Sequence, residues 1–454
     1  MDFGQRRSDS TKENKKRGDR MNGADVSIRQ KEEKTLRGRT LFIPRMSIEG
    51  AATMAAAFRA VGVNGQIAPE SDAHSLELAR HYTIGEECYP EIVTLGSFLK
   101  VLENGDLEPE ETAFLMPTAG GPCRFGQYKQ LYEQILSERG LENVLVLSPT
   151  SADGYAGMGG NAGDLTRLGW WGIVCADAIR KLLLQTRPYE IQPGSSEQAH
   201  QESLDLVCNI LEQPKLKLKD KLPALVNAMT TVAKIFSAVP AEYRRDKPLI
   251  GMVGEIYCRL DEFANANIIR RIEKFGGEVW LSAISEWVFY TNFMQRNELK
   301  WHGNSFSKSM LLAQVREKFQ QKDERKLLAP LRHRFKGYED PHHIGEFVKP
   351  AEKYLPYYGA LGEMVLNVSG AIYLYGKGAD GIVDISPFTC MNGIVCEAVY
   401  PKVSKEHENI PIRNFYFDGS EVDYDRDVEI FLELATSYQK RKSKPRVFPN
   451  HFYR

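Results

Sequence analysis

Residues 247–287, KPLIGMVGEIYCRLDEFANANIIRRIEKFGGEVWLSAISEW, decide the fold class. The run LIGMV reads as a strand closed by a glycine turn. A helical pattern follows, stopped by Gly276 and Gly277, and EVWL is a second strand. Strand, glycine turn, helix, Gly-Gly stop and strand make a compact βαβ unit.

The same grammar extends in both directions. Downstream, residues 378–403 (GADGIVDISPFTCMNGIVCEAVYPKV) give strand, turn and helix. IPIRNFYFDG (410–419) adds a strand, and YDRDVEIFLELATSYQK (424–440) closes with a helix. Upstream, TLFIP (40–44), AFLMPT (113–118) and NVLVLSP (143–149) read as strands among helical patterns such as SIEGAATMAAAFRAVG (47–62). Alternation of this kind predicts a parallel sheet with helices on its faces, here as two similar α/β units. The expected organisation is a disordered charged tail over 1–38 and a first α/β domain over 39–160. A helical region at 161–245 and a second α/β domain at 246–440 follow, the latter with a helical insertion at about 286–345, and 441–454 form a C-terminal tail.

Composition narrows the function. The chain has 454 residues, 42% hydrophobic and 26% charged, with a formal net charge of -1. That balance offers no positive field for phosphates, which argues against a nucleic-acid partner. No apolar run approaches the roughly 18 residues of a membrane span, and no signal-peptide pattern opens the chain. A cytoplasmic residence is the expectation. Seven cysteines are an odd number for a disulfide framework and contain no C-x-x-C, so zinc-ribbon and thioredoxin readings lack support.

Three cysteines share one local setting. Cys88 in IGEECYPEIVTLGSFLK stands just before a proline suited to a helix's first turn. Cys123 follows AFLMPT and Gly120-Gly121-Pro122 and precedes a helical pattern containing Phe125, Tyr128, Leu131, Tyr132 and Ile135. Cys390 follows a strand and precedes a helix. Helix entrances carry partial positive charge and free N–H groups, which favour the thiolate that metals require. Cys175 and Cys208 read as core residues, a role free cysteine often takes, and Cys258, after the strand in VGEIYCR, reads the same way with a place lining a site as the alternative. Cys396, six residues after Cys390, is the reserve ligand.

The motifs EECYPEI, GPCRFGQY, GEIYCRLDEFAN and SPFTCMNGIV, in this order and closed by IPIRNFYFDG, resemble the 2-hydroxyacyl-CoA dehydratase family. The resemblance is strongest to its branch related to CoA-enzyme activase proteins and spans residues 39–440. It implies two Rossmann-like (flavodoxin-like) parallel-sheet domains with helical insertions and a cluster in the inter-domain cleft. It further implies a 4Fe–4S cluster on Cys88, Cys123 and Cys390, with a fused double-cubane (8Fe) cluster as the alternative. Electrons would come from an ATP-hydrolysing activator, itself an iron–sulfur ATPase, and an acyl-CoA is the implied substrate. A homo- or hetero-dimer is the expected assembly.

Other residues are weaker candidates. Arg124 pairs with the cluster or an acyl-CoA group, or else caps its surroundings. Glu255 and Arg259 stand at a strand end, where α/β proteins gather functional groups, and alternatively form a structural ion pair. GYAGMGGNAGD (154–164) lacks the lysine of a phosphate loop, so ATP hydrolysis is expected of a partner. The His342–His343 pair reads as a surface feature. A radical dehydratase or reductase is the leading expectation. A non-catalytic electron-relay or assembly subunit, and a scaffold that binds zinc or nothing, are the alternatives.

Overall fold

Two four-stranded sheets, each wholly parallel, organise the computed structural model, which describes residues 35–118, 123–149, 162–341, 343–357 and 362–453. The first sheet contains β1 (Thr40–Ile43), β2 (Asn64–Ile67), β3 (Thr112–Leu115) and β4 (Leu145–Leu147), in the order β2-β1-β3-β4. The second contains β5 (Leu249–Gly254), β6 (Glu278–Leu281), β7 (Gly381–Pro387) and β8 (Ile412–Phe417), in the order β6-β5-β7-β8. Within each sheet the strand order is therefore second, first, third, fourth, the flavodoxin-like form of the doubly wound fold. In such sheets the strand order reverses between the first and third strands, and ligand crevices open at their carboxyl ends. The expected fold class of two Rossmann-like parallel-sheet units with helical additions is the observed one.

Burial explains the strand sequences. All residues of β1, β3, β5, β6 and β7 are buried, because helices cover both faces and no alternation of polar and apolar residues is needed. Strand β5 pairs with β7 on one side and β6 on the other, with Ile250 opposite Gly381 and Val279. Gly254 ends β5 at φ +124, and a Cβ there would lie 2.0 Å from the Ile385 carbonyl oxygen. Only glycine permits that approach.

The helical region does not stand apart. The helix Ala162–Thr186 buries Trp171, Cys175, Ile179 and Leu182 in one core with Leu41 and Phe58 of the first unit. The same core takes in Phe289, Tyr290, Leu327 and Val365 from the helices Ile284–Trp301, Lys308–Leu328 and Glu363–Gly376. Trp171 Nε1 donates to Asp323 across that core at 2.8 Å. The described residues from Leu36 onward cluster as one compact unit. The tail expected over 1–38 falls, up to residue 34, outside the described residues. The segment expected as a C-terminal tail is docked: Arg446 pairs with the buried Glu278 at 2.5 Å, and Phe452 packs edge-on against Tyr189.

Candidate functional site

Cys88, Cys123 and Cys390 each occupy the residue before a helical segment. Cys88 precedes Tyr89–Asn104, Cys123 precedes the 3₁₀ turn Arg124–Gln127, and Cys390 precedes Met391–Glu406. Their backbones match closely, at φ/ψ of -65/133, -71/133 and -66/120. This extended conformation is what a chain adopts as it turns into a helix. The Gly120-Gly121-Pro122 turn expected to present Cys123 lies outside the described residues, as does most of the loop 154–164.

Arg124 joins the three segments. Its Nη1 donates to the carbonyl oxygen of Glu86, two residues before Cys88. Its Nη2 donates to the carbonyl oxygen and Oγ1 of Thr389, at 3.3 and 3.0 Å, one residue before Cys390. Thr389 has φ +63, an unfavourable backbone for a β-branched residue, and the Arg124 bonds brace it there. Loops from the carboxyl ends of both sheets therefore meet at this place. Arg124 thus caps the carbonyl groups of two segments distant in sequence.

Beneath the thiols lies a set of buried charged groups. Glu255, at the end of β5, accepts backbone N–H bonds from Tyr257 (3.0 Å) and Cys258 (2.7 Å). Glu363 accepts one from Ile256 at 2.7 Å, which closes the helix Glu363–Gly376 onto the same strand end. Burial raises both carboxyls above their usual range, and the Glu255 charge adds to the rise at Glu363. Arg259 is 4% exposed, and its Nε is buried without a hydrogen-bond partner. The ion pair considered for Glu255 and Arg259 does not form, because the Glu255 oxygens serve the N–H groups of their own helix. Asp384, under the site in β7, is raised to about 6 by burial, against bonds from Tyr400 and Ser386.

The thiols feel this environment. Burial raises Cys88 strongly, and the nearby Glu255 and Cys390 raise it further, while Tyr128 hydrogen-bonds it in the opposite sense. Burial brings Cys390 to about 12 against the backbone N–H groups of Gly393 and Asn392, with Glu255 and Glu363 adding to the rise. Cys123 is the solvent-exposed member of the three. Its surroundings still remove enough water to raise its thiol, and Glu363 and Glu255 push the same way. All three therefore share Glu255 as an electrostatic neighbour. As thiols among carboxylates they stay protonated until a cation enters.

Of the other cysteines, Cys258 also lies beside Glu255 and Cys88, and Cys396 beside Cys390. Cys175 and Cys258 are fully buried, and Cys208 is half-buried against the core. Cys396, the reserve ligand, lies inside its helix at 0% exposure, with its S–H directed to the Met364 carbonyl at 3.5 Å. His343 is exposed and His342 lies outside the described residues. Glu363 and Tyr128 are site residues that sequence reasoning did not single out. Nothing in LGEMVLNVSG marks Glu363, whose place depends on a strand end 107 residues upstream.

Neither a family model nor a characterised protein matches the chain. Among the described residues, no three His, Cys, Asp or Glu side chains close around a single metal ion. The donor set suits a cluster. Soft sulfurs are the ligands iron–sulfur centres use. Backbone N–H groups at Phe125, Asn392 and Gly393 lie behind two of these sulfurs, where they favour the thiolate.

Proposed function

We propose that this chain is an iron–sulfur protein that holds a 4Fe–4S cluster on Cys88, Cys123 and Cys390. The observation that carries the reading is the meeting of these three helix entrances, from two parallel sheets, around Glu255 and under one arginine. A bound cluster supplies low-potential one-electron chemistry. The resemblance to 2-hydroxyacyl-CoA dehydratases extends the proposal to electrons received from an ATP-hydrolysing activator. Their destination in that extension is the radical dehydration or reduction of an acyl-CoA.

In this reading Arg124 is a positioning residue that fixes the spacing of the three cysteine segments. The backbone N–H groups of Phe125, Asn392 and Gly393 would stabilise the Cys123 and Cys390 thiolates that hold the cluster. Burial raises the carboxyls of Glu255 and Glu363 beneath the site, which opposes a build-up of negative charge there. Arg259, itself buried, is a positive side chain that acts on the carboxyls of Glu255, Glu363 and Asp384. Cys123, the exposed sulfur, marks the side from which electrons or substrate arrive.

Anaerobic purification from iron-supplied cells tests the proposal. The expected product is brown, contains iron and sulfide in equal amounts, and gives an electron paramagnetic resonance signal on reduction. A colourless, iron-free protein that takes up neither element on anaerobic reconstitution would refute it. Turnover of acyl-CoA substrates with the activator and ATP then tests the finer reading.

A further inference from the structure

We infer that the chain binds a second copy of itself head to tail. The exposed face of the helix Lys308–Leu328 on one copy seats against the exposed face of the helix Tyr424–Gln439 on the next. The first helix turns Leu311, Leu312, Val315 and Phe319 to solvent, at 61, 54, 41 and 57% exposure. Positions 311, 315, 319, 322 and 326 fall on one face by helical spacing, so Lys322 and Lys326 continue the stripe as a basic extension. Lys318, Lys322, Arg325, Lys326 and Arg332 line an open groove there. The acids of this helix point inward instead. Glu317 pairs with Arg296, Asp323 with Trp171, and Glu324 is buried. The outward face is therefore apolar and positive.

The second helix is its complement. Ile430 and Leu434 are 49 and 56% exposed, one turn apart, and Val422 just before the helix is 48% exposed. Glu429 and Glu433 flank the pair on the exposed face. Asp425 and Asp427 of the same helix are already held by Arg271, Lys274 and Arg413. Arg426, one turn before Ile430, is exposed as well, so with Glu429 and Glu433 this face is apolar and negative on balance. Scattered exposed hydrophobics are ordinary, but a contiguous stripe on one helix face marks a contact surface.

Charge complementarity selects the occupant. An anionic bilayer would suit the basic face and repel the acidic one, leaving Ile430 and Leu434 unexplained. A second copy satisfies both faces at once. The two patches differ, so the contact is heterologous and propagates as a ring or an open chain, unless two copies join through both contacts reciprocally. This inference does not rest on the cluster.

Charge reversal tests it by sedimentation of the full chain at low salt. The wild type should associate with rising concentration, and salt should weaken that association as the flanking charges are screened. K322E/R325E/K326E should be monomeric, as should E429K/E433K, since each presents like charges on both faces. An equal mixture of the two should associate again, because each acidic face then meets a basic one. Recovery in the mixture also shows that both variants are folded. A wild type that stays monomeric at every concentration would overturn the inference. So would association that survives either reversal, or a mixture that does not recover. Binding of the monomeric wild type to vesicles of anionic lipid, lost in K322E/R325E/K326E, would assign the basic face to a membrane and overturn it as well.

Discussion

Arg124 Nη2 stands 3.3 Å from the carbonyl oxygen of Thr389 and 3.0 Å from its Oγ1, across 265 positions of sequence. Through the other arm of the same guanidinium, the turn that precedes Cys88 is held against the turn that precedes Cys390. A rigid fork that reaches two backbone segments at once is a role lysine cannot copy.

Removal of that fork should loosen the site more than the fold. Arg124→Ala is expected to cost about 1–2 kcal/mol in stability, the worth of a few charge-assisted hydrogen bonds near the surface. Arg124→Lys should recover little of it. If the cluster proposal holds, both variants should lose iron to a chelator several-fold faster than the wild type. Chelator-challenge kinetics measure this, and an unchanged rate would show that the fork does not position the cysteines.

Gly254 is the sharpest steric test of how β5 delivers Glu255 to the site. A Cβ placed 2.0 Å from the Ile385 oxygen, at φ +124, forces backbone displacement at the junction of β5 and β7. Gly254→Ala should cost on the order of 3 kcal/mol or more, as strained-backbone and overpacking substitutions do. Chemical denaturation of the two proteins measures the difference. A cost under about 1 kcal/mol, the ordinary scale for a tolerated substitution, would mean that the two strand ends are not so tightly joined.

Acid stability should depend on a buried triad in the helical layer. Burial alone would raise Glu49. The Arg180 guanidinium, at 2.7 Å, and His200 overcome that rise and bring Glu49 down to about 2. A carboxyl whose folded value lies below its unfolded one stabilises the fold above the unfolded value, and the benefit disappears as pH falls through the folded value. For Glu49 that window runs from the ordinary 4.5 down to about 2. The loss is about 3 kcal/mol over that interval, at 1.36 kcal/mol per unit. Unfolding free energies across pH 2–5 should fall steeply in the wild type. In Glu49→Gln, which starts lower, they should fall less.

Much of this architecture was legible because the physics was local. The runs that became β1, β3, β5, β6 and β7 are apolar throughout, since both faces of a parallel sheet are covered. Strand β2 was not legible. Its sequence NGQI is polar and half exposed at the sheet edge, with Gly65 its single buried residue, and only pairing with β1 makes it a strand. The helix entrances of Cys88, Cys123 and Cys390 were also legible, from Pro90, from the pattern after Cys123 and from the strand before Cys390. Glu363, Tyr128 and the two-ended grip of Arg124 were not, because each acquires its place from a segment distant in sequence. The shared core of the two units was hidden for the same reason. No periodicity in the helix Ala162–Thr186 says which neighbours Trp171 will meet.

Cys175 offers a contrast within the cysteines. It is fully buried in the core beside Ile179 and Leu182, and burial raises its thiol strongly. Cys175→Ser places a hydroxyl among apolar groups and should cost about 1–3 kcal/mol, seen as a lower thermal midpoint. The same change at the exposed Cys123 should leave the midpoint of the cluster-free protein within about 0.5 kcal/mol of equivalent stability, as surface substitutions do.

The most direct test of the central claim is iron and sulfide analysis after anaerobic reconstitution, run in parallel on the wild type, Cys88→Ser, Cys123→Ser, Cys390→Ser, Cys175→Ser and Cys396→Ser. Serine oxygen is a poor substitute for soft thiolate on iron. A cubane's iron and sulfide are expected in the wild type and in the Cys175 and Cys396 variants, with loss or marked instability in each of the other three. Full iron content in the Cys88, Cys123 and Cys390 variants, or equal loss across all five, would contradict it.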